Sequence, residues 1–261
     1  MNRRNILRLF AAAALACGLL TTAHAGSLET IQKSGTLRVA VPQDFPPFGS
    51  VGPDMKPRGY DVDMAGLIAK GLGVKLELIA VTSTNRVPYL TAGKADLVIS
   101  SLGKNPDREK VIDFSNAYAP FFTGVFGPDE LKVTAAADLA GKTIGVTRGA
   151  VEDLDLSKIA PASATIKRFE DNNATIAAYL SGQVQLVATG NVVAAAINER
   201  SNKRPLDTKF LIKNSPCYVG VNKGDEPLLA KVNEVIAKAK QSGALNEIAQ
   251  RWLHAPLPAG L

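Results

Sequence analysis

Histidine and cysteine are nearly absent from this chain. Each occurs twice in 261 residues. One copy of each, Cys17 and His24, lies in the first 25 residues, which leaves Cys217 and His254 for the rest. A single remaining cysteine allows no intrachain disulfide. A zinc site of the usual His/Cys kind is excluded, and a Ser-His-Asp triad has one poor candidate in His254. Long apolar runs are missing as well: the stretch over 9–20 is too short to span a bilayer. Basic runs of the kind that track a phosphate backbone are also missing, the clusters being as short as Lys203-Arg204.

The apolar stretch over 9–20 follows Arg3, Arg4 and Arg8 and precedes Ala23-His24-Ala25. A positive segment, a short apolar segment and a small-x-small site make a secretory signal peptide over 1–25. Ala14-Leu15-Ala16 fits lipidation of Cys17 poorly. Removing this leader takes away three arginines and no acid, so the formal charge falls from +6 to +3. The basic balance is therefore largely a property of the leader, and nucleic acid is not an expected partner. The expected product is a soluble protein exported across the inner membrane into the periplasm. At 46% hydrophobic and 21% charged it has an ordinary globular composition.

What is present is an alternation of strands and helices. Residues 36–41 (TLRVAV) read as a strand, followed by a Pro/Gly-rich loop over 42–59. A helix is predicted over 60–72, with Val62, Ala65, Ile68, Ala69 and Leu72 on one face and Gly71 and Gly73 at its end. A strand over 74–81, a helix over 84–92 and a strand over 96–100 follow. This pattern predicts an α/β domain with a mainly parallel sheet. It restarts with strands over 143–147, 165–169, 184–188 and 209–213. Between them come helices from about Val151, over 174–181 and over 192–200. A strand over 218–222 and helices over 227–241 and 244–253 close the chain. The apolar, Pro- and Gly-broken stretch over 117–124 reads as a connection between two lobes.

Several motifs in order carry a resemblance. They are Leu37-Arg38-Val39-Ala40-Val41, Asp44-Phe45-Pro46-Pro47-Phe48, Gly59-Tyr60-Asp61-Val62-Asp63, Asn85-Arg86-Val87-Pro88 and Gly93-Lys94-Ala95-Asp96-Leu97. Arg108 with Asp113-Phe114-Ser115, Gly141-Lys142-Thr143-Ile144-Gly145-Val146, and Trp252-Leu253 complete the set. From about residue 28 to its end the chain resembles the extracellular solute-binding proteins of polar-amino-acid ABC importers. The resemblance implies a two-lobed periplasmic-binding-protein fold of type II, with a ligand cleft between lobes joined by two hinge strands. Lobe 1 would take 26–119 and 217–261, and lobe 2 would take 120–216. It also implies capture of an amino acid, polar or acidic, or a related small carboxylate, for delivery to a membrane permease. A monomer without cofactor or metal is expected. The alternative is a periplasmic enzyme on the same scaffold, dehydrating a cyclohexadiene acid with a cleft carboxyl.

The resemblance also nominates site residues. Arg108 matches the arginine that grips the ligand's α-carboxylate through paired hydrogen bonds. Ser100, Ser101 and Gly103 lie where a strand ends, and Gly103 replaces a usual hydroxyl residue while keeping its N–H. Phe45 and Tyr60 match aromatics that sandwich the ligand's side chain, whereas Phe48 is assigned to the core. Asp61 and Asp63 are read as acids at a helix N-terminus. Val151 stands in the turn that meets the carboxylate from the second lobe, where Arg148 either adds charge or is solvated. Arg86 either contacts an extra carboxylate or braces its lobe. The main departure is Gly190, where an Asp normally receives the ligand's ammonium. Asn191 beside it accepts a hydrogen bond but balances no charge. Either Glu152 or Asp153 substitutes, or the ligand's amine is bound differently or absent.

Overall fold

The computed structural model describes residues 27–200 and 203–261; the proposed signal peptide lies outside them. After helix α1 (Ser27–Ser34) the chain enters strand β1 (Thr36–Pro42). This strand is fully buried along its second half, as suits a central strand. It pairs in parallel with β5 (Lys75–Val81) and β6 (Leu97–Leu102). Two antiparallel strands extend the sheet, β13 (Cys217–Asn222) beside β6 and β7 (Ile112–Ala119) beside β13. The order is β5-β1-β6-β13-β7.

A second sheet repeats the plan. Strands β9 (Thr143–Thr147), β10 (Thr165–Phe169) and β11 (Leu186–Gly190) run parallel, and β8 (Phe122–Gly127) and β12 (Asp207–Asn214) are antiparallel additions. The order β10-β9-β11-β8-β12 mirrors the first sheet. The fold is two α/β lobes, and in each sheet four strands run the same way while one, β13 or β8, runs against them. The antiparallel pairings are made by the strands that carry the chain between lobes. The stretch over 117–124 is thus the end of β7 and the start of β8, and only Pro120 and Phe121 lie between them. The chain passes back between β12 and β13 at Ser215 and Pro216.

Each sheet is covered on both faces. Helices α2 (Tyr60–Leu72), α8 (Glu226–Gln241) and α9 (Ala244–Leu253) bury one face of the first sheet around Met64, Ile68, Val232 and Leu245. The short helix α3 (Arg86–Thr91) covers the other through Leu90. Helix α5 (Val151–Ile159) lies on one face of the second sheet through Leu156. Helices α6 (Asn172–Leu180) and α7 (Asn191–Arg200) lie on the other through Tyr179 and Ala194.

The loop over 42–59 folds into a three-stranded antiparallel sheet of β2 (Asp44–Phe45), β3 (Gly49–Val51) and β4 (Pro57–Arg58). Gly59 closes it onto α2 at φ 141°, where an added Cβ would meet the Phe48 carbonyl oxygen at 2.1 Å. Only glycine meets both demands. The two acids of α2 are not free N-terminal charges. Asp63 accepts from Arg251 Nη1 at 2.7 Å and Trp252 Nε1 at 2.8 Å, tying α9 to α2. Asp61 is fully buried and turned toward the strand ends.

Candidate functional site

The parallel strands of both lobes point their carboxyl ends at one cleft, the usual ligand position in open α/β sheets. Phe45 comes from β2, Ser83 from the loop after β5, Ser101 from the end of β6 and Arg86 from α3. From the second lobe come Ala150, Val151 and Glu152 after β9 and Asn172 after β10. Phe121, between the sheets, completes the lining. The space they enclose is small, about 10 Å³, room for about one water with the lobes in this arrangement.

Ser101 is held in an uncommon conformation, with φ 41°. Its N–H donates to Asp61 Oδ2 at 2.7 Å, and Asp61 Oδ1 accepts from the Tyr118 hydroxyl at 2.5 Å. The buried carboxyl thus anchors the turn at the end of β6. Burial pushes Asp61 up to about 7, against the pull of the Tyr118 and Ser101 donors. Left-handed backbone is unfavourable for a residue with a Cβ. Ser101→Gly should therefore raise stability by about 1 kcal/mol in urea unfolding. An unchanged or lower midpoint would show that the turn carries no strain.

Arg108 is set by local sequence. Asn105 caps α4 (Pro106–Glu109), accepting from Arg108 N–H at 2.8 Å, and Pro106 takes the first helical position. The buried Arg108 guanidinium donates to the Gly103 carbonyl at 2.7 Å and to the Gly149 carbonyl at 2.9 Å. Its two recorded bonds go to backbone, one in each lobe. Burial and the neighbouring Arg86 lower it to about 9. Ser100 is buried, and its carbonyl accepts from Arg86 Nη1. A Cβ at Gly103 would meet Ser215 Oγ at 2.5 Å, so a side chain there requires Ser215 to turn away.

The remaining nominated residues separate. Phe45 and Val151 line the cavity. Tyr60 does not: it is fully buried in the first-lobe core, 5.8 Å from Phe48 and 5.9 Å from Tyr118, and its hydroxyl donates to the Tyr118 carbonyl. Its place at the first turn of α2 turns its ring inward with Met64. Asn191 is also outside the lining; its side-chain oxygen accepts from Phe122 N–H at 3.1 Å. Arg148 is half-exposed and pairs with Glu170.

Two residues gain importance from the structure. Glu152 and Arg86 are each 4% exposed and line the same cavity. Among the described residues, Glu152 Oε1 and Arg86 Nε have no hydrogen-bond partner. Burial raises the Glu152 carboxyl to about 6, against its own backbone N–H and the two arginines. Burial likewise lowers Arg86. Asp153, the other candidate acid, accepts from Gly149 N–H at 3.1 Å and Arg168 Nε at 2.8 Å.

A second, larger chamber of about 280 Å³ shares Phe45 and Asn172 with the cleft. Its far walls are apolar, from Ile176, Leu180, Val193 and Ile197. Asp44 bridges the lobes at its edge, accepting from Asn172 N–H at 2.7 Å and Nδ2 at 3.2 Å.

Residues 37–255 match the bacterial extracellular solute-binding proteins, family 3. The chain is 26% identical to the L-cystine-binding protein TcyJ of Escherichia coli over 94% of its own length and 93% of the relative's. Its fold is similar to that of the solute receptor for L-cysteine of Neisseria gonorrhoeae. The TM-score is 0.82 at 29% identity, covering 87% of this chain and 93% of that one. It is also similar to the ancestral amino-acid-binding protein AncCDT-1, a precursor of cyclohexadienyl dehydratase. Here the TM-score is 0.80 at 28% identity, over 88% of this chain and 100% of that one. 

Proposed function

The chain belongs to the bacterial extracellular solute-binding proteins, family 3, and from that premise we propose that it captures an amino acid or related small carboxylate for an ABC importer. The observation that carries this reading is the interlobe cleft, lined by the buried Arg86 guanidinium and the buried Glu152 carboxyl, with the buried Arg108 bonded to both lobes beside it. Ligand contacts made with both lobes bias the protein toward its closed form, which the permease recognises. The protein acts as a monomer in the periplasm, delivered there by the leader over 1–25. Among the described residues no helix is long and apolar enough to cross a membrane.

Of the nominated residues, Arg108, Ser101, Gly103 and Val151 shape the polar end of the cleft, with the Ser100 carbonyl holding Arg86. Phe45 stands at the passage to the apolar chamber, so a ligand's side chain passes it. The competing reading, a dehydratase of a cyclohexadiene acid, draws on one specific feature, the buried Glu152 as a general acid. Binding is favoured because TcyJ and the gonococcal receptor are binding proteins.

A thermal-shift screen of the purified protein without its leader tests this. The proteinogenic L-amino acids and L-cystine are added singly over a concentration series. At least one should raise the unfolding midpoint progressively. If none does, and a cyclohexadienyl acid is instead consumed, the dehydratase reading replaces this one.

A further inference from the structure

The acid that normally receives an amino acid's ammonium cannot stand at position 190. A Cβ there would lie 2.1 Å from Phe121 Cζ and 2.4 Å from Cε2. Phe121 is 2% exposed and wedged against Phe45 and Phe48. The ring fills the space the missing side chain would need. Any acceptor for a cationic amine must come from elsewhere in the cleft.

The other acids near the cleft are engaged. Asp61 accepts from Ser101 N–H and Tyr118, Asp153 from Gly149 N–H and Arg168, and Asp44 from Asn172. Glu152 and Asp155 each keep one buried carboxyl oxygen that accepts nothing among the described residues, but Asp155 has Lys158 and Lys213 beside it and lies outside the lining, whereas Glu152 lines the cavity. The guanidiniums divide in the same way. Arg108 spends its recorded bonds on two backbone carbonyls, whereas Arg86 is fixed at Nη1 by the Ser100 carbonyl and keeps Nε–H unengaged. A buried acceptor and a buried donor, each costly to leave unsatisfied, thus line one cavity.

We propose that Glu152 and Arg86 are the recognition pair for a zwitterionic α-amino acid, Glu152 receiving the ammonium and Arg86 Nε–H the carboxylate. This rests on the amino-acid reading above and names the residues that execute it. Arg108 stands beside the pair, its bonds to the Gly103 and Gly149 carbonyls joining the two lobes. The ligand's substituent is directed past Phe45 toward the apolar chamber.

The pair couples binding to a proton. A bound ammonium holds Glu152 ionised, whereas in the free protein burial holds its carboxyl at about 6. The charges facing it are Arg86 and Arg108 from the first lobe and Asp155 from its own helix. Asp61 and Cys217 act on Arg86 behind them. Binding therefore releases a proton below that value, and affinity falls about tenfold for each pH unit below it. The ammonium and carboxylate of a free amino acid keep their charges throughout this range.

The test is calorimetric titration of the wild type and Glu152→Gln with the amino acid that gives the largest thermal shift, beside its des-amino analogue. For L-glutamine the analogue is glutaramate; for L-cystine it is 3,3′-dithiodipropionate. The wild type should bind the analogue on the order of 100-fold more weakly than the amino acid. Glu152→Gln should bind both alike, at about the weaker affinity, and should lose the pH dependence between about pH 5 and about pH 7.5. Because the fold already favours the neutral acid, the amide should fold, and urea unfolding checks this. The wild-type pH dependence is a readout that needs no variant. Wild-type affinity in Glu152→Gln, a des-amino analogue that binds as tightly as its parent, or a pH-independent wild type each overturns the assignment while leaving capture intact. Failure of every amino acid to bind the wild type overturns capture and the assignment together.

Discussion

Replacing Gly190 by Asp should collapse the stability of the protein rather than install an ammonium site. The new Cβ would overlap Phe121 at 2.1 Å. That ring cannot step aside, because its centroid lies 5.5 Å from Phe48 and 6.2 Å from Phe45. Gly190→Ala should already cost ~1–3 kcal/mol through overpacking. The Asp variant adds a carboxylate to a buried strand end, so its total loss should reach about 5 kcal/mol. Urea unfolding measures both. Adding Phe121→Ala should recover part of the loss in the double variant, because the two sites share one volume. A Gly190→Asp protein with a wild-type midpoint would mean that Phe121 does not fill the space, and the case for Glu152 would weaken with it.

Asp61→Asn should flatten the dependence of stability on pH. Burial raises the folded-state carboxyl to about 7 from the ordinary aspartate value of 3.8. A raised value means that the fold favours the protonated acid. Its contribution is complete below the unfolded value and is lost as pH climbs through about 7. Glu152 has the same sign over a narrower window, from 4.5 to about 6. Between about pH 4.5 and about pH 7.5 the wild-type melting temperature should therefore fall. The Asn variant keeps an acceptor for Ser101 N–H but cannot ionise, so most of the slope should vanish. Asp61→Ala is the harsher change. It strands Ser101 N–H and the Tyr118 hydroxyl in the core and should cost about 3 kcal/mol or more. A melting temperature that rises over this pH range would contradict an Asp61 whose charged form is disfavoured by burial.

The elements that repeat cleanly were legible in the sequence. The apolar periodicity of α2 and the alternation in 36–41 place both elements within a residue of where they are observed, though β1 alternates in burial only over its first half. Other elements depend on partners far along the chain. Nothing local marks β2, β3 and β4, whose two or three residues become strands only by pairing with one another. The ends of β7 and β8 read as a linker because Pro120 and Gly124 interrupt an apolar run. Their strand character comes from β13 and β12, nearly a hundred residues away.

The site follows the same division. Motif order nominated Arg108, Ser101 and Val151, and the loss of an acid at 190 was visible directly. Its cause was not, because Phe121 meets Gly190 only through the tertiary fold. Asp61 looked like a helix-end charge from its position. Tyr118, 57 residues later, makes it a buried anchor. Glu152 and Asp153 were indistinguishable as neighbours on one helix end. Arg168 and Gly149 engage the second and leave the first facing the cleft. Tyr60 shows the converse error, an aromatic matched by motif whose ring the helix turns into the core.

The central claim is that the interlobe cleft binds an amino acid through Arg86. Equilibrium dialysis against a radiolabelled mixture of L-amino acids, using the wild type and Arg86→Met, tests it most directly. The wild type should retain a single amino acid stoichiometrically, and the folded variant should retain none. No retention by the wild type, or equal retention by both proteins, would contradict it.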